Sequence, residues 1–273
     1  MDMATEDFGG LPQDKPSVAR MYDYFLGGAH NFEVDRNAAE QALKIYPDGA
    51  RVMQANRAFL RRAVTFLVAQ GLSQFLDIGS GIPTVGNVHE VAQRANPATH
   101  VVYVDIDPVA VAHGKTILTD THNATVVQAD ARLPGYILTH PEVLRLLDFR
   151  APIVVLLVAL LHFIIDDEDA YDLVHHLRDA LAPGSYIVIT HVTDENVPRD
   201  VVEQSEKLYA RSTTPATFRT RARIAKFFDG FDLVDPGLVY VPLWHPEEPN
   251  DLFLDQPERS VILAGVGRKP KCS

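Results

Sequence analysis

The sequence predicts an α/β fold, a mostly parallel sheet covered by helices on both faces with a helical cap ahead of it. After Gly71, five short apolar segments alternate with helical patterns, which is typical of parallel strands joined by helical crossovers. Before Gly71, apolar residues recur at helical spacing. Two further apolar segments near the C-terminus, separated by a proline-rich loop, predict a closing hairpin.

Length and composition indicate a globular protein. The chain has 273 residues and a mass of 30.2 kDa, and 47% of the residues are hydrophobic and 22% charged. A single core stops growing near this length, so we expect one large domain with an appended piece. We divide the chain into a flexible arm (residues 1–15), a helical cap (16–71) and a sheet domain (72–273) with a helical insertion at 198–228.

The charge and the cysteine usage exclude several classes of partner. A net charge of −11 repels nucleic-acid phosphates and anionic membranes, so we expect neither as a partner. The only cysteine, Cys272, leaves no internal disulfide and no cysteine metal cluster. The first residues lack the basic and apolar stretches of a signal peptide. These observations predict a cytoplasmic protein and leave its oligomeric state open.

Local patterns place the individual elements. Ser17 is positioned to cap the first helix, Gly71 to end the third, and Asp166 to cap the helix after the fourth strand. The apolar run at 151–165 contains Pro152 and His162 and is shorter than a membrane-spanning helix, so it predicts a buried strand. The predicted helices cover residues 18–26, 33–43, 50–69, 85–95, 108–119, 167–181, 198–211 and 217–228, and the predicted strands cover 74–78, 101–105, 125–129, 153–160, 185–190, 237–243 and 260–266.

The most informative stretch is a strand that ends in Asp77 and runs into the turn Gly79-Ser80-Gly81. Glycines let a ligand approach the backbone closely, and the helix beyond them offers unpaired N–H groups. A dinucleotide fingerprint would have a third glycine where Thr84 stands, so that pattern is broken. The turn by itself does not decide which nucleotide-type ligand binds.

Acids follow the next two strands as well. Asp105 ends the second strand and is placed to accept both hydroxyls of a ribose, a role common to NAD and S-adenosylmethionine sites. Asp130 ends the third strand and is placed to accept from an adenine amino group. Each acid alone could equally be a helix cap or a solvated turn residue. Three acids at successive strand ends indicate a ligand, because ligands of such sheets lie outside the carboxyl ends of the strands.

At this point the sequence resembles the class I S-adenosylmethionine-dependent methyltransferases, and within them a bacterial family once described only as a domain of unknown function. The resemblance covers nearly the whole chain. It is carried by YDYFLGG at 22–28, LDIGSGIPT at 76–84, GNVHE at 86–90, VYVD at 102–105, LHF at 161–163 and PGLV at 236–239.

The resemblance implies a Rossmann-like sheet of seven strands in the order 3-2-1-4-5-7-6, with S-adenosylmethionine as cofactor. Pro83 departs from it, since many class I enzymes have a third glycine there. The implied cofactor contacts are Asp77, Gly79, Ser80 and Gly81 to the amino-acid half, Asp105 to the ribose, Asp130 and Ala131 to the adenine, Ile106 on the adenine face, the carbonyl of Val158 to the amine, and Tyr22 or Arg57 of the cap to the cofactor carboxylate or the acceptor.

Two histidines are candidates for a catalytic base. His162 follows the fourth strand and His191 the fifth, on the side where the methyl group should point, and histidine titrates near neutral pH. Structural roles for both stay open, because methyl transfer also proceeds by proximity alone. The predicted function is methyl transfer to a small-molecule acceptor. The alternatives are an NAD-linked oxidoreductase and a non-catalytic S-adenosylmethionine-binding module.

Three charged or histidine-rich segments have simpler interpretations. The acidic run at 166–169 reads as a solvated helix start, and the adjacent pair His175 and His176 does not share a helix face, so we predict no metal. The arginines of the insertion form a local basic patch that suits an acidic small molecule, or are solvated helix charges. These arginines are Arg211, Arg219, Arg221 and Arg223.

Overall fold

The computed structural model describes residues 14–83, 86–247 and 251–271. Most of the predicted arm at 1–15 lies outside these ranges, as do Thr84 and Cys272. The division of the chain into arm, cap and sheet domain stays a prediction. Within the described ranges, no helix has both the length and the apolar character needed to cross a membrane.

Three helices form the N-terminal part of the described chain: α1 (Val18–Phe25), α2 (Glu33–Ile45) and α3 (Gly49–Ala69). Gly71 follows α3 with φ +86°, the left-handed conformation that ends helices, as predicted. The prediction that Ser17 caps α1 is wrong. Its hydroxyl donates instead to the carboxylate of Asp107, so the Ser17 side chain does not cap this helix.

The sheet has eight strands in the described residues, in the order β3-β2-β1-β4-β5-β8-β6, with β7 also paired to β8. Strands β1 to β5 are parallel, and β8 runs antiparallel to β5. This confirms the mostly parallel sheet and the antiparallel closure. The strands are β1 (Gln74–Ile78), β2 (His100–Asp105), β3 (Ala124–Gln128), β4 (Val154–Val158), β5 (Tyr186–Val192), β6 (Asp232–Leu233), β7 (Val239–Tyr240) and β8 (Ile262–Arg268).

The closing part of the sheet differs from the prediction of seven strands. The segment predicted as a strand at 237–243 pairs only at Val239–Tyr240, because Val241–Leu243 forms a 3₁₀ turn around Pro242, which has no N–H for the ladder. Asp232–Leu233 pairs separately with the far end of β8. The strand from the predicted 260–266 lies between β5 and these short strands, as expected.

The remaining helices cover both faces of the sheet. One core contains α3, α4 and Trp244, and the other contains α8 and the Phe227–Phe228 turn. Short helices at 134–146 were missed because each spans only six residues and starts at a proline. In full, the helices that follow α3 are α4 (Val88–Ala95), α5 (Pro108–Ile117), α6 (Pro134–Thr139), α7 (Pro141–Leu146), α8 (Asp167–Ala180), α9 (Arg199–Tyr209) and α10 (Arg221–Ala225).

Two predicted helices begin later than expected. Helix α4 starts at Val88, since the side chain of Glu90 accepts from the backbone N–H of Asn87 and closes a capping box there. The predicted helix at 217–228 begins only at Arg221, because Arg219 is held in an isolated bridge to Thr193 beside β5. It then continues through α10 and a 3₁₀ turn to Phe228. The predicted Asp166 cap of α8 is confirmed by bonds from the N–H groups of Glu168 and Asp169.

Candidate active site

The glycine turn after β1 folds over the end of β2. The N–H groups of Gly79 and Ser80 both donate to the carbonyl of Val104, at 2.8 and 3.1 Å. Gly79 and Gly81 have φ values of +73° and +67°. A Cβ on Gly79 would lie 2.6 Å from the side chain of Leu160, whereas one on Gly81 would meet no described atom within 4 Å. Gly79 is thus required by packing, and Gly81 leaves open space above the turn.

Asp105 joins this turn to the loop after β2. Its Oδ2 accepts from the N–H of Gly81 at 2.7 Å, and its Oδ1 accepts from the N–H of Asp107 at 2.8 Å. Burial raises the pKa of Asp105 to about 6, although the backbone N–H donors act in the opposite direction. The N–H of Ile106 also acts on this carboxylate, and of its roughly four lone-pair sites one is left. The group can therefore accept from a ligand without giving up its backbone partners.

Asp77 lies at the end of β1, one strand away, and is also buried. Its pKa is raised to about 7, chiefly by burial; the charge of Arg57 acts to lower it and the charge of Asp105 acts to raise it. The two carboxylates therefore interact, and a cation is favoured beside them.

The cap brings polar groups to the same place. The hydroxyl of Tyr22 donates to the carbonyl of Met53 and accepts from Nδ2 of Asn56, at 3.2 and 3.1 Å. Burial raises the pKa of Tyr22, and the charge of Arg57 lowers it. The charge of Arg57, on α3, thus acts on Tyr22 of α1 and on Asp77 of β1. Asn56 Oδ1 is buried and has no hydrogen-bond partner among the described residues.

Asn56 was not among the predicted site residues. The signal that could have identified it is its position in the apolar stripe of α3, where an amide needs a partner. A second residue that was missed is Ala159, which follows β4 with φ +56° and donates its N–H to the hydroxyl of Thr190 at 2.8 Å. Positive φ at a residue with a side chain marks strain at the carboxyl end of β4. No sequence pattern indicates it.

The groups predicted for the adenine lie at the ends of β2 and β3. Ile106 is 53% exposed, which is unusual for an isoleucine and leaves an apolar face free. Asp130 is bound by Arg132 at 2.6 Å, and hydrogen bonds from that side chain lower the pKa of Asp130. Ala131 lies beside it, half-buried. Val158 ends β4, next to Ala159.

His162 lies in the 3₁₀ turn Leu161–Phe163 after β4, as predicted. Only 7% of it is exposed, and its Nδ1 has no hydrogen-bond partner in the part of the chain that the structure describes. Burial lowers the pKa of His162 to about 3, with a smaller effect from the charge of Arg219. The ring is therefore neutral, and its Nδ1 is a buried polar atom whose hydrogen bond is not satisfied by the described residues.

His191 does not follow β5 but lies within it, fully buried. Its Nε2 is 2.8 Å from Nη1 of Arg219, and its Nδ1 is 2.6 Å from the carbonyl of Val192. Burial lowers the pKa of His191 well below its usual value. Since arginine only donates, Nε2 must accept and Nδ1 must carry the proton. Neither nitrogen is left to take a proton from an acceptor.

The basic patch predicted for the insertion does not form. Arg219 is fully buried, and Asp167 binds both Arg219 and Arg223, at 2.7 and 2.6 Å. Hydrogen bonds from Arg223, followed by those from Arg219, lower the pKa of Asp167 to about 2. Arg221 pairs with Glu195. Arg211 instead lines a cavity of about 280 Å³ between α2 and α9.

The insertion and the cap meet over the His162 turn. The N–H of Thr217 donates to the carbonyl of His162, and the N–H of Thr213 donates to that of Pro16, at 2.8 and 2.9 Å. The ring of Tyr209 packs on the α1–α2 cluster and lies 6.3 Å from the ring of Phe163. The site is thus covered from two sides. Among the described residues, no group of three His, Cys, Asp or Glu side chains is arranged to hold a metal ion.

Comparisons with known proteins identify the family of the chain. The family described as S-adenosyl methyltransferase matches residues 6–270. A structure from Thermobifida fusca YX, described as a candidate methyltransferase, is 42% identical with a TM-score of 0.90, over 98% of this chain and 100% of that one. A DUF574-family protein from Streptomyces avermitilis MA-4680 is 36% identical with a TM-score of 0.89, over 94% of this chain and 99% of that one.

More distant likeness concerns the fold alone. An O-methyltransferase family protein from Burkholderia thailandensis is 12% identical with a TM-score of 0.52, over 95% of this chain and 65% of that one. This confirms the Rossmann-like methyltransferase fold. No curated protein matches the chain. The family match, which spans nearly all of the sequence, and the two close relatives establish that the chain belongs to the S-adenosyl methyltransferase family.

Proposed function

We propose that this chain binds S-adenosylmethionine along the carboxyl ends of β1, β2 and β3 and transfers its methyl group to a small-molecule acceptor beside His162. The observation that carries the proposal is the pairing of two buried carboxylates, Asp77 and Asp105, beside a glycine turn with open space above it. S-adenosylmethionine, when bound, supplies a methyl group carried by its sulfonium sulfur, and the rest of the cofactor is the thioether leaving group.

The residues present fit the cofactor. Asp105 keeps a lone pair for the ribose hydroxyls, and Asp77 offers a negative charge to the α-ammonium group or the sulfonium. The turn of Gly79, Ser80 and Gly81 provides a close backbone approach for the amino-acid half. The orphaned Oδ1 of Asn56 is a further acceptor for the ammonium group.

The cap and the strand ends supply the remaining contacts. Arg57 would receive the cofactor carboxylate, because its positive charge acts on both Asp77 and Tyr22. Tyr22 could bond to the same carboxylate only by turning its proton away from the carbonyl of Met53. The exposed face of Ile106 suits the adenine ring. Further proposed contacts are Asp130 and Ala131 with the adenine edge and the Val158 carbonyl with the amine.

The acceptor side rests on His162. A buried polar atom without a partner costs about 1–3 kcal/mol, so a ligand that bonds to Nδ1 of His162 recovers that loss. A hydroxyl or amine on the acceptor would do so, and the neutral ring would orient its lone pair toward the methyl group. We propose His191 only as support for the His162 turn, through Arg219. The insertion and the cap limit the acceptor to a small molecule.

Calorimetric titration of the full chain with S-adenosylmethionine, S-adenosylhomocysteine and NAD tests the proposal. We expect saturable one-site binding of the first two and none of NAD. Binding of NAD alone would overturn the proposed cofactor. With the cofactor established, acceptor libraries are scored by mass spectrometry for products that gain a methyl group.

A further inference from the structure

A buried ion network ties the cap to the loop that carries Asp105. Arg20 on α1 is 3% exposed, its Nε donates to Asp35 at 2.7 Å, and its Nη1 donates to Asp107 at 3.3 Å. Asp35 is fully buried and Asp107 nearly so. Asp35 belongs to α2, whereas Asp107 follows β2. Arg20 therefore joins two acids that come from separate parts of the chain.

Asp107 carries the connection on to Asp105. Its backbone N–H donates to Oδ1 of Asp105 at 2.8 Å, and its own Oδ1 accepts from the N–H of Val109 at the start of α5. Its Oδ2 faces the cap, where it accepts from Arg20 and from the hydroxyl of Ser17. The contacts of Asp107 with the cap thus fix the position of an N–H that Asp105 uses.

An aromatic ring encloses the same network. The guanidinium of Arg20 lies 5.1 Å from the ring centroid of Phe32, and this ring packs against Ile82 and Val109. Ile82 follows the glycine turn and Val109 begins α5. The apolar cover limits access of water, and ion pairs interact more strongly where water is excluded.

We propose that Arg20 is a positioning residue for recognition of the cofactor ribose. It acts through Asp107 on the carboxylate of Asp105. Docking of the cap onto the sheet domain therefore also orients the carboxylate that would bind the ribose. The inference rests on the proposed function. Removing the charge of Arg20 leaves Asp35 and Asp107 buried without this partner, which disfavours the arrangement that orients Asp105.

The test compares two probes that differ only at the ribose: S-adenosylhomocysteine and its 2′-deoxy analogue. Both are titrated calorimetrically into the wild-type chain and Arg20→Gln. In the wild type we expect the deoxy analogue to bind about tenfold more weakly, the effect of one hydrogen bond to a charged group. We call the ratio of the affinities for S-adenosylhomocysteine and for its deoxy analogue the ribose preference. In Arg20→Gln we expect weaker binding of S-adenosylhomocysteine and a ribose preference below about threefold. Arg20→Lys, which keeps the charge, should recover part of the preference.

Arg62→Gln is the matched control. Arg62 is 4% exposed, lies on α3, and donates to the carbonyls of Val241 and Trp244 at 2.8 and 2.9 Å. Its loss removes an equally buried arginine from the cap without touching Asp107. We expect a lower melting temperature with the wild-type ribose preference. A loss of preference in Arg62→Gln equal to that in Arg20→Gln would overturn the proposal.

A milder variant covers the case in which Arg20→Gln does not fold. Ser17→Ala removes one donor to Asp107 and leaves Arg20 in place, so the preference should fall in the same direction by a smaller factor. A wild-type preference in every folded variant overturns the positioning role while leaving the proposed function intact. A wild-type chain that binds no S-adenosylhomocysteine overturns the proposed function, and the inference with it.

Discussion

Arg219 donates to Nε2 of His191 over 2.8 Å, and this contact sets the protonation of a buried histidine pair. The proton of His191 must lie on Nδ1, which is 2.6 Å from the carbonyl of Val192. The ring centroid of His162 is 5.4 Å away, and burial lowers the pKa of His162 to about 3. Both rings are neutral near pH 7, and only His162 has a ring nitrogen that is buried without a partner among the described residues.

Replacing His162 should change stability and methyl transfer in opposite directions. His162→Leu removes a buried nitrogen that has no partner among the described residues, so we expect the free energy of unfolding to rise by about 1–2 kcal/mol. Affinity for S-adenosylhomocysteine should stay unchanged, while methyl transfer falls. Urea denaturation and calorimetry measure the first two quantities. His191→Leu is the control and should destabilise the fold, because it takes a partner from Arg219. A destabilised His162→Leu would contradict this account.

Asp105→Ala tests directly whether Asp105 binds the cofactor ribose. We expect binding of S-adenosylhomocysteine to weaken by about 1.5–3 kcal/mol, the range for a hydrogen bond to a charged group. Circular dichroism establishes that the variant is folded, and calorimetry gives the affinity. Asp148→Ala, which removes an exposed acid paired with Arg150, serves as control. Unchanged affinity in folded Asp105→Ala would remove Asp105 from the site.

The pH dependence of binding follows from the raised pKa values of two carboxyl groups, those of Asp77 and Asp105. Burial raises the pKa of Asp77 to about 7 and that of Asp105 to about 6, so the free folded chain holds protons that the unfolded chain releases. Its free energy of unfolding therefore receives a contribution from these groups that is lost as pH rises toward the folded pKa values. The proposed cofactor contacts require the ionised carboxylates.

We accordingly expect affinity for S-adenosylhomocysteine to rise between about pH 5 and pH 8, with proton release on binding. Calorimetry in two buffers of different ionisation enthalpy measures the released protons. Asp77→Asn should remove the upper part of this dependence. Affinity that is constant over the whole range would refute the prediction.

The two glycines of the turn should respond differently to alanine. Gly79→Ala combines a left-handed backbone with a Cβ 2.6 Å from Leu160, so its loss of stability should exceed the roughly 1–2 kcal/mol of the backbone strain alone. Gly81→Ala has the backbone strain without the clash, and its Cβ enters the ligand side. It should therefore lose less stability and more affinity. Thermal melts with and without S-adenosylhomocysteine distinguish the two effects, and equal losses of stability would contradict the argument.

The sequence predicted the parallel strands and their acids because both follow from local patterns: apolar runs, glycine turns and the residue at each strand end. It did not predict the partners of buried polar groups. The Arg219–His191 contact joins residues 28 positions apart through tertiary packing. The bond from Ser17 to Asp107 spans 90 positions, and it displaced the helix cap that the local pattern favoured. The interactions of such groups depend on which helices and strands pack together, and a short stretch of sequence does not contain that information.

The position of β8 between β5 and the short closing strands has a consequence for synthesis on the ribosome. All seven residues of β5 pair with β8, which comes some seventy residues later in the chain. Until residue 268 has emerged, β5 is an open edge with unpaired N–H and C=O groups, next to an almost complete parallel sheet. A chain stalled after α10 would therefore expose a strand able to pair with other molecules, and chaperone demand should peak over that interval.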